Sequence, residues 1–366
     1  MIKEIEELSE MERANKYDEI PQVYHPWRRY FARILDINLY NLLWSAFLAF
    51  VFHINVADRS NAGNILDSFI TIVIMLVLEP LLLNLFGNTP GKAIFGLRIE
   101  NHDGSRLSYG EGFERTLGVL GGGMGFSIPI YNLIRLWKSY KLCIENEIQP
   151  WDESISYTIK DTKWYRSVLY IGAIALSFAA MLTIISAQLL PPNKGDLTIE
   201  EFVENYNYYA NYYNIDFGDS YLDETGKWEK KNSSGTIIYI GYTEKPDYNF
   251  TIENGYVTGV SFAVEIKNNE YLLSSYDDYM FLASLAFAGA QDEMRLFSKI
   301  PKRIAEQINN NIFNDYSFVE AGIMFNCNIE HSGYRETAHM LFPIEDAKEN
   351  YFRLNFSMKK GNYQDE

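Results

Sequence analysis

Long apolar runs separated by short polar segments fill the first half of the chain, whereas the second half alternates apolar and polar residues on a much shorter scale. Ile34 to Ile54 is the first run, 21 residues that extend about 31 Å as a helix, the thickness of a bilayer's hydrocarbon core. Trp27, Arg28, Arg29, Tyr30 and Arg33 precede it, the aromatic and cationic mixture found where a helix meets cytoplasmic headgroups, so this span is predicted to begin inside. Asn55 to Asn64 predicts an outward loop, and Ile65 to Phe86 a returning span interrupted by Glu79-Pro80. The polar stretch that follows carries Lys92, Arg98, Arg106 and Arg115 and reads as a cytoplasmic loop, with Ile94 to Ile99 a strand and Asp103-Gly104 a tight turn.

Thr116 to Trp137 admits two readings. Its glycines, Gly118, Gly121, Gly122, Gly123 and Gly125, permit close packing of a full third span, or with Pro129 they break it into a re-entrant hairpin. The next segment, with Arg135, Lys138, Lys141, Lys160, Lys163 and Arg166, is as basic as the one before it, which favours the hairpin. Ser167 to Leu190 is a further span of 24 residues without a charge, stopped by Pro191-Pro192. On the hairpin reading the remaining chain lies outside, in keeping with Lys194 as the single basic residue soon after Leu190.

Residues 196–366 predict a separate soluble α+β domain. Leu197 to Asn214 is an amphipathic helix opened by a Thr198 and Glu201 capping box. Thr236 to Tyr242, Tyr248 to Ile252 and Tyr256 to Ile266 alternate as strands, the last two joined at Glu253-Asn254-Gly255. Asp277 to Asn310 reads as helix broken near Pro301, and Phe318 to Ile329 and Tyr351 to Met358 as further strands. Residues 1–23 form a charged leader with Ile2, Ile5 and Leu8 as a thin apolar stripe, readable equally as a surface helix or as disordered.

Three ordered motifs carry a resemblance. Arg29-x-x-Ala32-x-x-Leu35-Asp36 opens the first span, the stretch from Gly87-Asn88-Thr89-Pro90-Gly91-Lys92 to Ile99 follows the second, and Pro150-Trp151-Asp152 comes later. Together they make residues 24–160 resemble the RDD family of small polytopic membrane proteins, with Arg29, Asp36 and Asp152 at the family's arginine and two aspartates. The resemblance implies an α-helical membrane bundle and, for activity, transport roles that include cation/proton exchange.

Charged groups inside apolar helices are costly unless paired or wet, which singles out Asp36 and Glu79; the resemblance adds Arg29 and Asp152, and these four are the candidate transport or structural residues. Helical spacing lets Arg29 or Arg33 pair with Asp36, and Asp152 with a loop arginine. Asp67 and His53 sit near the outer ends of spans, where interfacial placement explains them. His331 and His339 with Glu330 and Glu336 are a weak metal candidate, since their spacing fits a strand and loop. The tyrosines at 206, 208, 209, 212 and 213 read as a ligand platform or as half-buried core.

The mean hydropathy of −0.18 averages over apolar and polar halves and conceals the spans. A net charge of −16, with no basic stripe outside the membrane flanks, excludes nucleic acid as partner. Cys143 and Cys327 are the only cysteines, and no nucleophile elbow, P-loop or dinucleotide fingerprint appears, so no enzyme, metal or cofactor is expected. Two functions follow as expectations. The first is a multi-pass plasma-membrane transporter or transport accessory moving a small cation or proton. The second is a membrane-anchored sensor or interaction protein whose C-terminal domain binds an extracytoplasmic protein or a second copy of the chain.

Overall fold

A computed structural model describes residues 24–230, 244–337 and 339–361. The leader and the strand expected at Thr236 to Tyr242 lie outside them. The chain divides into two compact units, Met1–Leu48 with Val56–Leu182, and Ala49–Asn55 with Thr183–Glu366.

The first unit is helical. Its helices are α1 (Pro26–Phe50), α2 (Asn61–Phe86), the single turn α3 (Pro90–Ile94), α4 (Tyr109–Gly118), α5 (Pro129–Ile144) and α6 (Tyr165–Ala187). Strands β1 (Leu97–Asn101) and β2 (Ile155–Ile159) pair antiparallel. Among the described residues two helices, α2 and α6, are long and apolar enough to cross a membrane. In α6 none of the most apolar window is buried, which separates it from the core helix of a soluble protein. Helix α1 does not reach that measure and ends at Phe50, short of Ile54; Arg33, Asp36, Asn38 and Asn41 dilute its apolar run, and His53 has a left-handed backbone (φ 53°).

No single helix covers Thr116 to Trp137. Helix α4 widens into a π-turn at Val119–Gly123, a 3-10 turn follows at Gly125–Ser127 with Phe126 and Ser127 both at positive φ, and Pro129 starts α5. The strand expected at Ile94 begins at Leu97 because Pro90, with φ preset for helix, first nucleates α3. Gly104 N–H donates to Asn101 O (2.9 Å), closing the expected turn.

The second unit is rich in sheet. Strands β5 (Asn249–Glu253), β6 (Tyr256–Lys267), β12 (Tyr351–Lys360), β9 (Ile323–Ser332) and β8 (Tyr316–Glu320) form an antiparallel sheet in the order β5-β6-β12-β9-β8. Alternate residues of one face, such as Phe262, Cys327 and Phe356 in register, are buried with helices α7 (Ile199–Tyr212), α8 (Asp277–Ala288) and α9 (Ile300–Asn309). Smaller pairings use β3 (Ser220–Leu222) with β4 (Trp228–Lys230), and β7 (Leu273–Ser274) with β10 (Tyr334–Thr337) and β11 (Met340–Pro343). The capping box of α7 is present: Glu201 N–H donates to Thr198 Oγ1 (3.2 Å), and Thr198 N–H to Glu201 Oε2 (2.8 Å).

Two expectations change, and one open alternative is decided. Phe318 to Ile329 is two strands, turned at Ala321-Gly322, both left-handed. The helical stretch breaks over residues 289–299, and Pro301 lies in the first turn of α9, where its missing N–H costs nothing. The tyrosines of α7 are core rather than platform: Tyr206 and Tyr209 are fully buried, and Tyr209 Oη donates to Leu189 O (2.9 Å).

Candidate functional site

Residues 29, 33 and 36 recur at helical spacing, so α1 sets Arg29, Arg33 and Asp36 on one face around buried Ala32. Helix α2 supplies Glu79 next to Pro80, both buried. The loop after α2 supplies Thr89, the single turn α3 supplies Gly91 and Lys92, and the last turn of α4 supplies Arg115. A 3-10 turn at Pro150–Asp152 supplies the final carboxylate.

These groups form one buried cluster. Asp36 accepts from Thr89 Oγ1 (2.5 Å) and Gly91 N–H (2.7 Å), and lies 3.5 Å from Lys92 Nζ. That approach requires glycine: a Cβ on residue 91 falls 2.1 Å from Ala32 O and 2.9 Å from Asp36 Oδ1. Glu79 is gripped by Arg33 through both oxygens, by Lys92 Nζ at 2.9 Å, and faces Arg115 Nη1 at 3.6 Å. Asp152 pairs with Arg29 and accepts from Arg115 Nε (2.9 Å). Tyr157 on β2 underlies both guanidinium groups, at 4.4 Å from Arg29 and 5.4 Å from Arg115, within cation–π range.

The three carboxylates are fully buried and face four cationic side chains. Burial by itself raises the carboxyl of Asp152, but Arg115 and Arg29 outweigh it and hold it below the ordinary carboxylate range. Burial, offset only in part by Glu79, lowers the Lys92 amine from its usual value. Arg115 Nη1, Gln149 Oε1 and Trp151 Nε1 are buried without a hydrogen-bond partner.

All four residues singled out from the sequence, Arg29, Asp36, Glu79 and Asp152, meet in this cluster, but with different partners. Neither Arg29 nor Arg33 pairs with Asp36; Arg29 reaches Asp152, 123 positions away, and Arg33 reaches Glu79. Asp152 does take a loop arginine, Arg115. Lys92 and Arg115, whose sequence positions mark the cytoplasmic side, are core members of the cluster. The signal for Lys92 was the Thr-Pro-Gly-Lys turn, whose glycine marks a close backbone approach.

The lesser candidates stay apart. Asp67 pairs with Arg59 (2.8 Å) and accepts from Trp44 Nε1 (2.9 Å). His339 faces Asp277 at 3.2 Å and His331 faces Glu336 at 3.8 Å, and no group of three or more metal-ligating side chains occurs among the described residues.

Helices α2 and α6, beside a buried cluster in which each carboxylate is paired, define a helical membrane-associated domain. Residues 23–188 match the sequence model of the RDD family, so this part of the chain is an RDD domain; residues 189–366 match no family. No curated protein and no solved structure matches the chain.

Proposed function

We propose that the RDD domain acts as a membrane scaffold and that the sheet-rich domain is the working part, a sensor or interaction module held at the plasma membrane. The observation that carries this reading is the saturation of the carboxylates. Asp36, Glu79 and Asp152 each have at least two donors, and the cations outnumber the acids, so a small cation meets no vacant negative charge. A buried network of this kind specifies which helix packs where, while removal of one partner leaves the others uncompensated.

The topology proposed with it is multi-pass, with the C-terminal domain extracytoplasmic. Its support is the basic character of residues 87–115 and 135–166 against the near absence of lysine and arginine just after Leu190. The transport reading keeps one observation in its favour: Glu79 sits beside Pro80 inside an apolar helix, where Pro80 frees a carbonyl. Cation/proton exchange there requires Lys92 and Arg33 to move off Glu79 in each cycle.

Flux in proteoliposomes separates the two. Glu79→Gln is expected to lower the melting temperature of the protein and to leave cation-driven proton flux at the level of protein-free vesicles, as for the native chain. Native flux that Glu79→Gln abolishes with the melting temperature intact would overturn the scaffold reading. Protease added to intact cells is expected to cleave within residues 196–366; full protection would invert the topology.

A further inference from the structure

A cavity of about 510 Å³ lies against the ion cluster, and its walls are divided by chemistry. Arg29, Arg33, Lys92 and Arg115 line it, and among the described residues no acidic one does; Asp36, Glu79 and Asp152, which these cations hold, are not part of the wall. The remaining surface is largely apolar and aromatic. Three residues at its edge, Trp27 (59% exposed), Leu133 (69%) and Trp137 (59%), present large apolar surfaces outward. In water such a rim is costly; against acyl chains it is favourable, and tryptophan is the side chain enriched at that depth.

We infer that this cavity binds the headgroup of an anionic phospholipid, the phosphate against the Arg29, Arg33, Lys92 and Arg115 face and the acyl chains leaving between Trp27, Leu133 and Trp137. Two further observations point to an anion. Arg115 is 5% exposed, and its Nη1 has no hydrogen-bond acceptor although Glu79 lies 3.6 Å away; Trp151 Nε1, on another lining residue, likewise lacks one. A phosphate oxygen supplies acceptors to such donors, and guanidinium groups suit it in geometry and charge. Helix α5, which contributes Leu133 and Trp137 to the rim, also carries exposed Lys138 and Lys141 beside exposed Ile130 and Ile134. Basic and apolar side chains together on one exposed helix are what an anionic lipid surface holds. The apolar rim distinguishes a lipid from free phosphate, which needs only the charged floor.

The test is equilibrium binding to the full chain in an uncharged detergent, with short-chain phosphatidylglycerol, phosphatidylcholine of equal chain length, and inorganic phosphate as probes. Phosphatidylglycerol is expected to bind saturably and about tenfold or more tighter than phosphatidylcholine, which offers the same phosphate but brings its choline cation against the four cationic side chains. Inorganic phosphate is expected not to displace it. Arg115→Gln weakens binding by a similar factor; because Arg115 also belongs to the cluster, Leu136→Trp, which fills the cavity from a half-exposed wall position, provides a variant that keeps the native melting temperature and loses the lipid. Equal binding of the two lipids, displacement by inorganic phosphate as effective as by lipid, or native affinity in Leu136→Trp would each overturn the assignment.

Discussion

The two units of this protein hold themselves together by opposite means. In the sheet-rich unit one continuous apolar core joins α7, α8 and α9 to the sheet, and its buried polar groups are few, such as Asn205, which donates to Asn193 O (3.0 Å) and Ala286 O (3.2 Å). In the RDD domain the buried apolar clusters are small and separate, around Phe95, Ile99 and Tyr157 in one case and Tyr40, Met75 and Leu120 in another, while seven charged side chains meet at the centre. The physical reason is the solvent. Water expels apolar surface and so drives the sheet and helices together, whereas lipid tails are as apolar as leucine and give helices little reason to associate. Small residues and polar contacts then decide which helices meet. Gly91 and the ion cluster are the local instance.

If that contrast holds, substitutions of equal size act through different mechanisms in the two units. The largest effect belongs to Glu79→Ala, which strands Arg33 and Lys92 in a buried site: a loss of about 3–5 kcal/mol is expected, read as a lower melting temperature with a smaller loss for Glu79→Gln. Next, Leu354→Ala in β12 empties a fully enclosed position and should cost about 2–5 kcal/mol in chemical denaturation, through lost contacts and a cavity rather than charge. Thr198→Ala removes the cap of α7 and should cost about 1 kcal/mol. Arg303→Ala breaks an exposed pair with Glu320 and should cost about 0.2–1 kcal/mol, decreasing further in high salt.

The smallest effect near neutral pH is the dependence on pH itself, which Asp152 illustrates. Its folded carboxyl titrates below its unfolded value, so its stabilising contribution is complete above the unfolded value of about 4 and is lost as pH falls through the lower folded value. Melting temperatures of the RDD domain are therefore expected to be insensitive to this group from pH 5 to 8 and to decline in stronger acid; Asp152→Asn should be lower than native at neutral pH and approach it as the pH falls. Equal sensitivity in both proteins across the acid range would remove Asp152 from the account.

Much of the domain layout was legible along the chain, and the reasons differ by element. Helices α2 and α6 were readable because a run of more than 20 apolar residues has few alternatives. The α7 capping box and the hairpin at Asn254-Gly255 were readable because both are closed by residues within four positions of each other. The split of Phe318 to Ile329 was missed because Ala321, with no turn signature of its own, takes a left-handed backbone beside Gly322. Four of the seven clustered charges were legible, Asp36 and Glu79 as costly in lipid and Arg29 and Asp152 through the family resemblance. Arg33, Lys92 and Arg115 were not, because in sequence a buried cation looks the same as one that marks the cytoplasmic side.

Sequence alone determined that Asp36 and Glu79 need partners, since desolvation is a property of the residue and its apolar neighbours, and the family motifs marked Arg29 and Asp152 beside them. The tertiary structure decided who the partners are: Arg29 with Asp152, Arg33 and Lys92 with Glu79, and the Thr89 to Lys92 turn with Asp36. These pairs are separated by 13 to 123 positions, so they depend on how the helices and loops pack, which local spacing does not encode. The same packing put the cations on the cavity wall and left the acids they hold out of it, a division of charge that exists only once the chain is folded.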